Sequence, residues 1–279
     1  MRRRAAVRFF FASPKFRMGP SETNRARYLD KLGVFMDSAA PRIRQAMQAV
    51  WALRQHHAAN SSLRTAALEV KRFQAQRFRA TYADLLQDPR YRHAALFFLD
   101  ELYGDRDYER RDQQFARIAN TIARLFPEAV ADTAATLAEV HALTERLDDQ
   151  MALCWLATDA PGLPQRYIQC WRAVADRPAR QQQLQAVLHL GEDLDRLTRT
   201  PGLRRLLKMM RAPAAMAGLS SLQHFVEAGF EAFADMQGAA EFLTIVRQRE
   251  SAWISLMFDA NAVACETQMQ QLLASQGEH

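Results

Sequence analysis

Glycine and proline are scarce, ten of each in 279 residues, and cysteine occurs three times. That scarcity excludes collagen-like and low-complexity chains, and three cysteines exclude a disulfide scaffold. Cys154, Cys170 and Cys265 lie far apart and in no Cys-x-x-Cys or Cys/His spacing, so they read as reduced core thiols of a cytoplasmic chain. No uninterrupted apolar run approaches the roughly 20 residues that cross a bilayer, so no transmembrane segment is expected. Valine and isoleucine together are only about 6% of the chain, too few for a sheet-rich fold. Lysine is nearly missing as well: Lys15, Lys31, Lys71 and Lys208 are the four, and arginine carries almost all of the positive charge.

What is present is alanine, leucine, glutamine, arginine and glutamate, the composition that intrinsic propensity sends into helices. The formal net charge is +6, from 37 Lys+Arg against 31 Asp+Glu, which invites a nucleic-acid or acidic-membrane partner. Its location removes that inference. Residues 1–17 hold Arg2, Arg3, Arg4, Arg8, Lys15 and Arg17 and no acid, leaving 31 basic against 31 acidic residues from Met18 onward. The short apolar stretch Phe9-Phe10-Phe11 beside Arg8 is too brief for a signal peptide. The segment reads as a basic extension over about 1–20, or as sequence upstream of a start at Met18, with a basic aromatic anchor as the remaining alternative.

Pro, Gly and capping residues divide the rest into about ten helices, near 21–36, 41–57, 61–86, 89–103, 105–126, 127–157, 163–176, 179–198, 202–211, 220–236 and 239–258. Asn60-Ser61-Ser62 is a cap, Asp88-Pro89 a stop, and Gly104 suits a left-handed helix end. The expectation is an all-α multi-helix bundle with no sheet: a single domain over 21–260, sub-boundaries near 159–164 and 212–218, and a tail over 261–279.

The densest stretch runs from Tyr91 to Asp112. Between Ala94 and Leu99 it is apolar nearly all round, the pattern of a central helix, and His93, Phe97 and Asp100 fall at i, i+4 and i+7. His93 and Asp100 could be a general base with its orienting acid, or two metal ligands. They could equally be a histidine and an acid satisfied by neighbours, which is the stronger reading because one His and one carboxylate are an incomplete site. Glu101, Tyr103, Asp105, Arg106 and Arg111 complete the candidate ligand-binding set around this turn. Downstream, Arg110, Arg117 and Arg124 are spaced by seven, a possible phosphate-contacting stripe. A solvated helix face explains it without a partner, so nucleic acid is not expected.

The string Phe97-Phe98-Leu99-Asp100-Glu101-Leu102-Tyr103-Gly104, followed by Asp107 and Arg111-Asp112, resembles a motif of an uncharacterised family of all-helical bacterial proteins. The segment from Gly218 to Glu227, with Gly229-Phe230, is similar to that family's C-terminal part, so the resemblance covers about residues 23–258. It implies a helical fold and transfers no catalytic residue.

Other chemistries lack their residues. Di-iron bundles use inward Glu-x-x-His pairs; here only the reversed His189/Glu192 and His224/Glu227 occur, beside rather than on their apolar stripes. His56 and His57 are adjacent, about 100° apart on a helix, and cannot easily chelate one metal. No Gly-x-Ser-x-Gly elbow and no Gly-rich phosphate loop is present. The expectation is therefore no cofactor, no metal, and a non-enzymatic binding or interaction module, with self-association or an unidentified protein partner open. The alternatives are a small-ligand protein or enzyme built around 93–112, and nucleic-acid binding through Arg110, Arg117 and Arg124.

Overall fold

The computed structural model describes residues 38–101 and 108–274. Among these, thirteen helical segments and no strand occur: α1 (Ala39–Ala59), α2 (Ser61–Thr81), α3 (Ala83–Gln87), α4 (Arg92–Glu101), α5 (Glu109–Leu125), α6 (Glu128–Ala157), α7 (Leu163–Val174), α8 (Arg177–Thr198), α9 (Leu203–Met209), α10 (Arg211–Met216), α11 (Ser220–Asp235), α12 (Ala240–Asp259) and α13 (Ala262–Ala274). The protein is an all-α bundle. The helix expected at 21–36, the N-terminal extension and the turn at Gly104 lie outside the described residues.

The punctuation works as the residues dictate. Asn60 caps α2, its side chain accepting from Leu63 N at 3.1 Å, and Asp176 caps α8 by accepting from Ala179 N at 3.0 Å. Three segments depart from expectation. The helix expected over 61–86 breaks at Tyr82, whose buried ring packs on Phe78 and whose hydroxyl donates to Glu250 Oε1 of α12 at 2.8 Å. The joint expected at 212–218 instead contains α10, because Pro213 falls in a first turn where no N–H is required; Gly218, at φ +68°, ends it. Of the tail expected over 261–279, the described residues from Ala262 to Ala274 form α13, which buries Cys265 and Met269 against α2 and α7.

α6 is 30 residues long and unbroken. It packs on α1, α2, α7 and α8 and so holds the centre that the sequence assigned to α4. Its first half presents Ala131, Ala135 and Ala138, side chains short enough for α1 and α5 to approach closely with Ile43, Met47 and Phe115. Its second half shares a core with α2, α7 and α13 through Met151, Ala152 and Trp155. A third core joins α4, α8, α11 and α12 through Phe98, Leu188, Phe233 and Phe242.

Candidate functional site

Between α4, α5, α6 and α8, roofed by the short helices α9 and α10 and by α11, lies a cavity of about 220 Å³. Aromatic rings make much of its wall: Phe97, Phe115, Phe225 and Phe230, with Leu194 and Leu207 opposite. The wall follows from the sequence locally. The apolar stripe of α5 supplies Phe115, Ile118 and Ile122, and that of α11 supplies Leu222, Phe225 and Phe230. Among the described residues, the polar side chains lining it are Thr121, Thr133 and Gln223, and none of the lining residues ionises. Thr133 Oγ1 is held by Ala129 O at 2.8 Å, and Gln223 Nε2 donates to Leu207 O at 2.8 Å. The arrangement can hold an apolar body, with the two threonine hydroxyls and the Gln223 amide as its polar groups among the described residues.

A second feature runs along α6, a seam of buried charge. Asp112, at the start of α5, accepts from Arg111 Nε at 3.0 Å, Arg54 Nη2 at 2.5 Å and His141 Nε2 at 2.8 Å. Burial pushes its carboxyl up, but the bond and charge of His141, with Arg111 and Arg54, outweigh burial and hold it well below the usual carboxylate range. One turn on, Glu145 Oε1 meets Lys71 Nζ at 2.6 Å. Burial opposes both charges, yet their mutual attraction wins: Lys71 is raised and Glu145 lowered. Asp148 is different. It accepts from Gln74 Nε2 at 3.0 Å, and burial raises its carboxyl more than the charge of Lys71 lowers it. Each acid in this seam is occupied by a donor, so its chemistry is that of a locked network.

Over residues 53–264 the sequence matches the family described as a domain of unknown function, DUF8198. The chain belongs to that family. The matched span takes in every described residue of the cavity wall and the whole seam. No curated protein and no solved structure matches the chain.

In this DUF8198 domain the residues read as a site from sequence do not all meet. His93 is exposed, its side chain 66% accessible, and its Nδ1 lies 2.8 Å from Asp235 Oδ2 of α11. Asp100 is half-buried at the other end of α4, and its carbonyl accepts from the Tyr108 hydroxyl. Arg111 is buried, with its guanidinium 4.2 Å from the Tyr108 ring and 4.6 Å from the Phe225 ring. Its Nη1 lies 3.5 Å from Glu101 Oε2. The structure thus joins Glu101 to Arg111 and sends His93 elsewhere. Tyr103, Asp105 and Arg106 lie outside the described residues. Of the arginine stripe, Arg117 ties down the turn before α11 by donating to Ala217 O at 2.9 Å and Gly218 O at 3.1 Å; Arg110 and Arg124 are exposed.

Among the described residues no group of three or more His, Cys, Asp or Glu side chains is placed to hold a metal ion, and no helix is long and apolar enough to cross a membrane. Sequence reasoning missed the seam, although its signal was there: His141, Glu145 and Asp148 recur at i, i+4 and i+7 on one helix. It missed the cavity because a void between stripes has no residue of its own.

Proposed function

We propose that this chain is a non-enzymatic binding protein whose ligand is an apolar small molecule held in the cavity beneath α9 and α10. The observation that carries this reading is the cavity itself, about 220 Å³ with a wall in which nothing ionises. An engineered apolar cavity of about 150 Å³ already admits a benzene-sized guest, and concave, mostly apolar pockets are the usual form of small-molecule sites. With no ionisable side chain among the described residues of the wall to activate a hydroxyl there, the cavity retains its guest without transforming it.

The test is a titration with 1-aminonaphthalene and with decanol, followed by probe fluorescence and by thermal melting. Saturable binding with a rise in melting temperature is expected. Ala214→Phe, which places a ring in the cavity from α10, should abolish both. If neither molecule binds the native chain, the proposal is wrong.

The alternative site around 93–112 has one observation in its favour: Arg111, the ion-pair partner of Glu101, lies 4.6 Å from Phe225, a ring of the cavity wall. On that reading Arg111→Met alters probe affinity beyond any change in stability, while His93→Ala does not.

A further inference from the structure

A second and smaller cavity, about 40 Å³, lies on the other side of Phe98. Phe98 lines both spaces, and α8 runs past both. That helix gives Arg180, Leu184 and Val187 to the small cavity and Leu190, Gly191 and Leu194 to the large one. The small cavity is polar where the large one is not. Arg180, only 6% exposed, has an Nη2 with no hydrogen-bond partner, and the buried Nε1 of Trp171, an α7 residue that lines the same space, has none either. The guanidinium carbon sits 4.1 Å from the Trp171 ring, which fixes its plane.

Buried donors without acceptors are rare in folded proteins, and two in one cavity define what would complete it: an acceptor, preferably an anion. The acids nearby are already engaged. Glu250, in the cavity wall, accepts from both Nη atoms of Arg77 at 3.1 Å and from the Tyr82 hydroxyl at 2.8 Å. Asp148 feels the charge of Arg180 but takes its hydrogen bond from Gln74. The remaining bond of Arg180, Nη1 to Gln183 Oε1, is 3.4 Å long.

We propose that the small cavity is a carboxylate subsite and that the ligand of the two cavities is a medium-chain monocarboxylic acid, its chain in the large cavity and its carboxylate between Arg180 Nη2 and Trp171 Nε1. This rests on the apolar-cavity reading above and adds the head group. A volume of about 40 Å³ matches the space of two to four water-sized groups, enough for a carboxylate and too little for a phosphate ester with its substituents. From Leu184, which lines the small cavity, to Leu194, which lines the large one, the axis of α8 rises roughly 15 Å, the reach of a chain of about ten carbons.

Decanoate, decanol and methyl decanoate are titrated by calorimetry into the full chain and into Arg180→Met and Trp171→Phe. Charge-assisted hydrogen bonds lead one to expect decanoate to bind the native chain about tenfold or more tighter than decanol or the ester. Arg180→Met should erase that preference and leave decanol affinity within about twofold; Trp171→Phe should reduce the preference without erasing it. Should Arg180→Met not fold, the native acid-to-alcohol ratio and Trp171→Phe decide the matter. Equal binding of acid and alcohol by the native chain overturns the carboxylate subsite and leaves the apolar cavity standing. Failure of all three ligands overturns both.

Discussion

The ring of Phe97 fills the place that a side chain at Gly229 would occupy: a methyl group there would lie 2.8 Å from Phe97 Cζ and 3.2 Å from Cε2. Glycine on α11 is what lets α4 come this close, and Phe97 in turn faces the large cavity. In Gly229→Ala the obstructing atom is the far end of a ring with open space beside it, so the ring should swing into the cavity. The gain in helix propensity, about 1 kcal/mol, offsets the displacement, and urea melts should show a change in stability within about 1 kcal/mol. The displaced ring shrinks the site, so decanol affinity should fall while the fold persists. Unchanged decanol affinity would count against the cavity as its site.

Gly191 on α8 offers the contrast. A methyl there would meet Leu243 Cδ2 at 2.5 Å, Cδ1 at 3.3 Å and Cγ at 3.5 Å, so the whole branched end must move, and Leu243 is buried in the core with α12. Gly191→Ala should cost about 1–3 kcal/mol, measured by the same melts. A stability equal to the native chain would mean that α8 and α12 separate more easily than their packing indicates.

Asp112 predicts an acid-side loss of stability. Its carboxyl is held below the ordinary range when folded, so the folded state binds its proton less readily than the unfolded chain. Its contribution is present above the unfolded value near 4 and is lost as pH falls through that value toward the folded one. Asp112→Asn leaves Arg54, Arg111 and His141 around a neutral amide, and a broken buried pair costs roughly 3–5 kcal/mol. Denaturation midpoints at pH 7 should fall accordingly, and the variant's stability should decline less steeply than the native chain's below pH 4.

Asp148 carries the opposite sign. Burial raises its folded value, so its stabilising share is complete below the unfolded value near 4 and is lost as pH rises through the folded one. Asp148→Asn keeps an oxygen for the Gln74 amide at 3.0 Å and removes the buried charge. At pH 7 the variant should be more stable than the native chain in urea melts, and the pH dependence above 4 should flatten. A variant less stable than the native chain would show that the attraction of Lys71 and Arg180 exceeds the cost of burial.

Much of the fold was legible because its causes are local. Asn60, Pro127 and the Asp159–Gly162 break act through their own backbone neighbours, and the apolar stripes of α5 and α11 are written at helical spacing. The break at Tyr82 was not legible, since its cause is Glu250, 168 residues away. The same distance explains the site. His93 and Asp100 share a face of one helix, but which acid reaches His93 is settled by where α11 puts Asp235. Helical spacing finds neighbours along one element; Trp171 against Arg180, and Arg54 and His141 against Asp112, come from others.

The three thiols should separate by access and by charge cost. Cys154 on α6 is half-buried, while Cys170 on α7 and Cys265 on α13 are buried. Cys154 and Cys170 converge on the Thr158 hydroxyl, at 3.5 and 3.6 Å. Burial, reinforced by the neighbouring Cys154, pushes the Cys170 thiol up to about 11, and since the thiolate is the reacting form, almost none of it is available at pH 8. Timed alkylation of the native chain with iodoacetamide at pH 8, read by intact mass and peptide mapping, should therefore place the first label on Cys154. Cys170 and Cys265 should follow only at the rate of unfolding, and all three should react together in urea. Labelling of Cys170 as fast as Cys154 in the native chain would show that the end of α6 opens from α7 far more readily than the packing of Trp155 and Ile168 there implies.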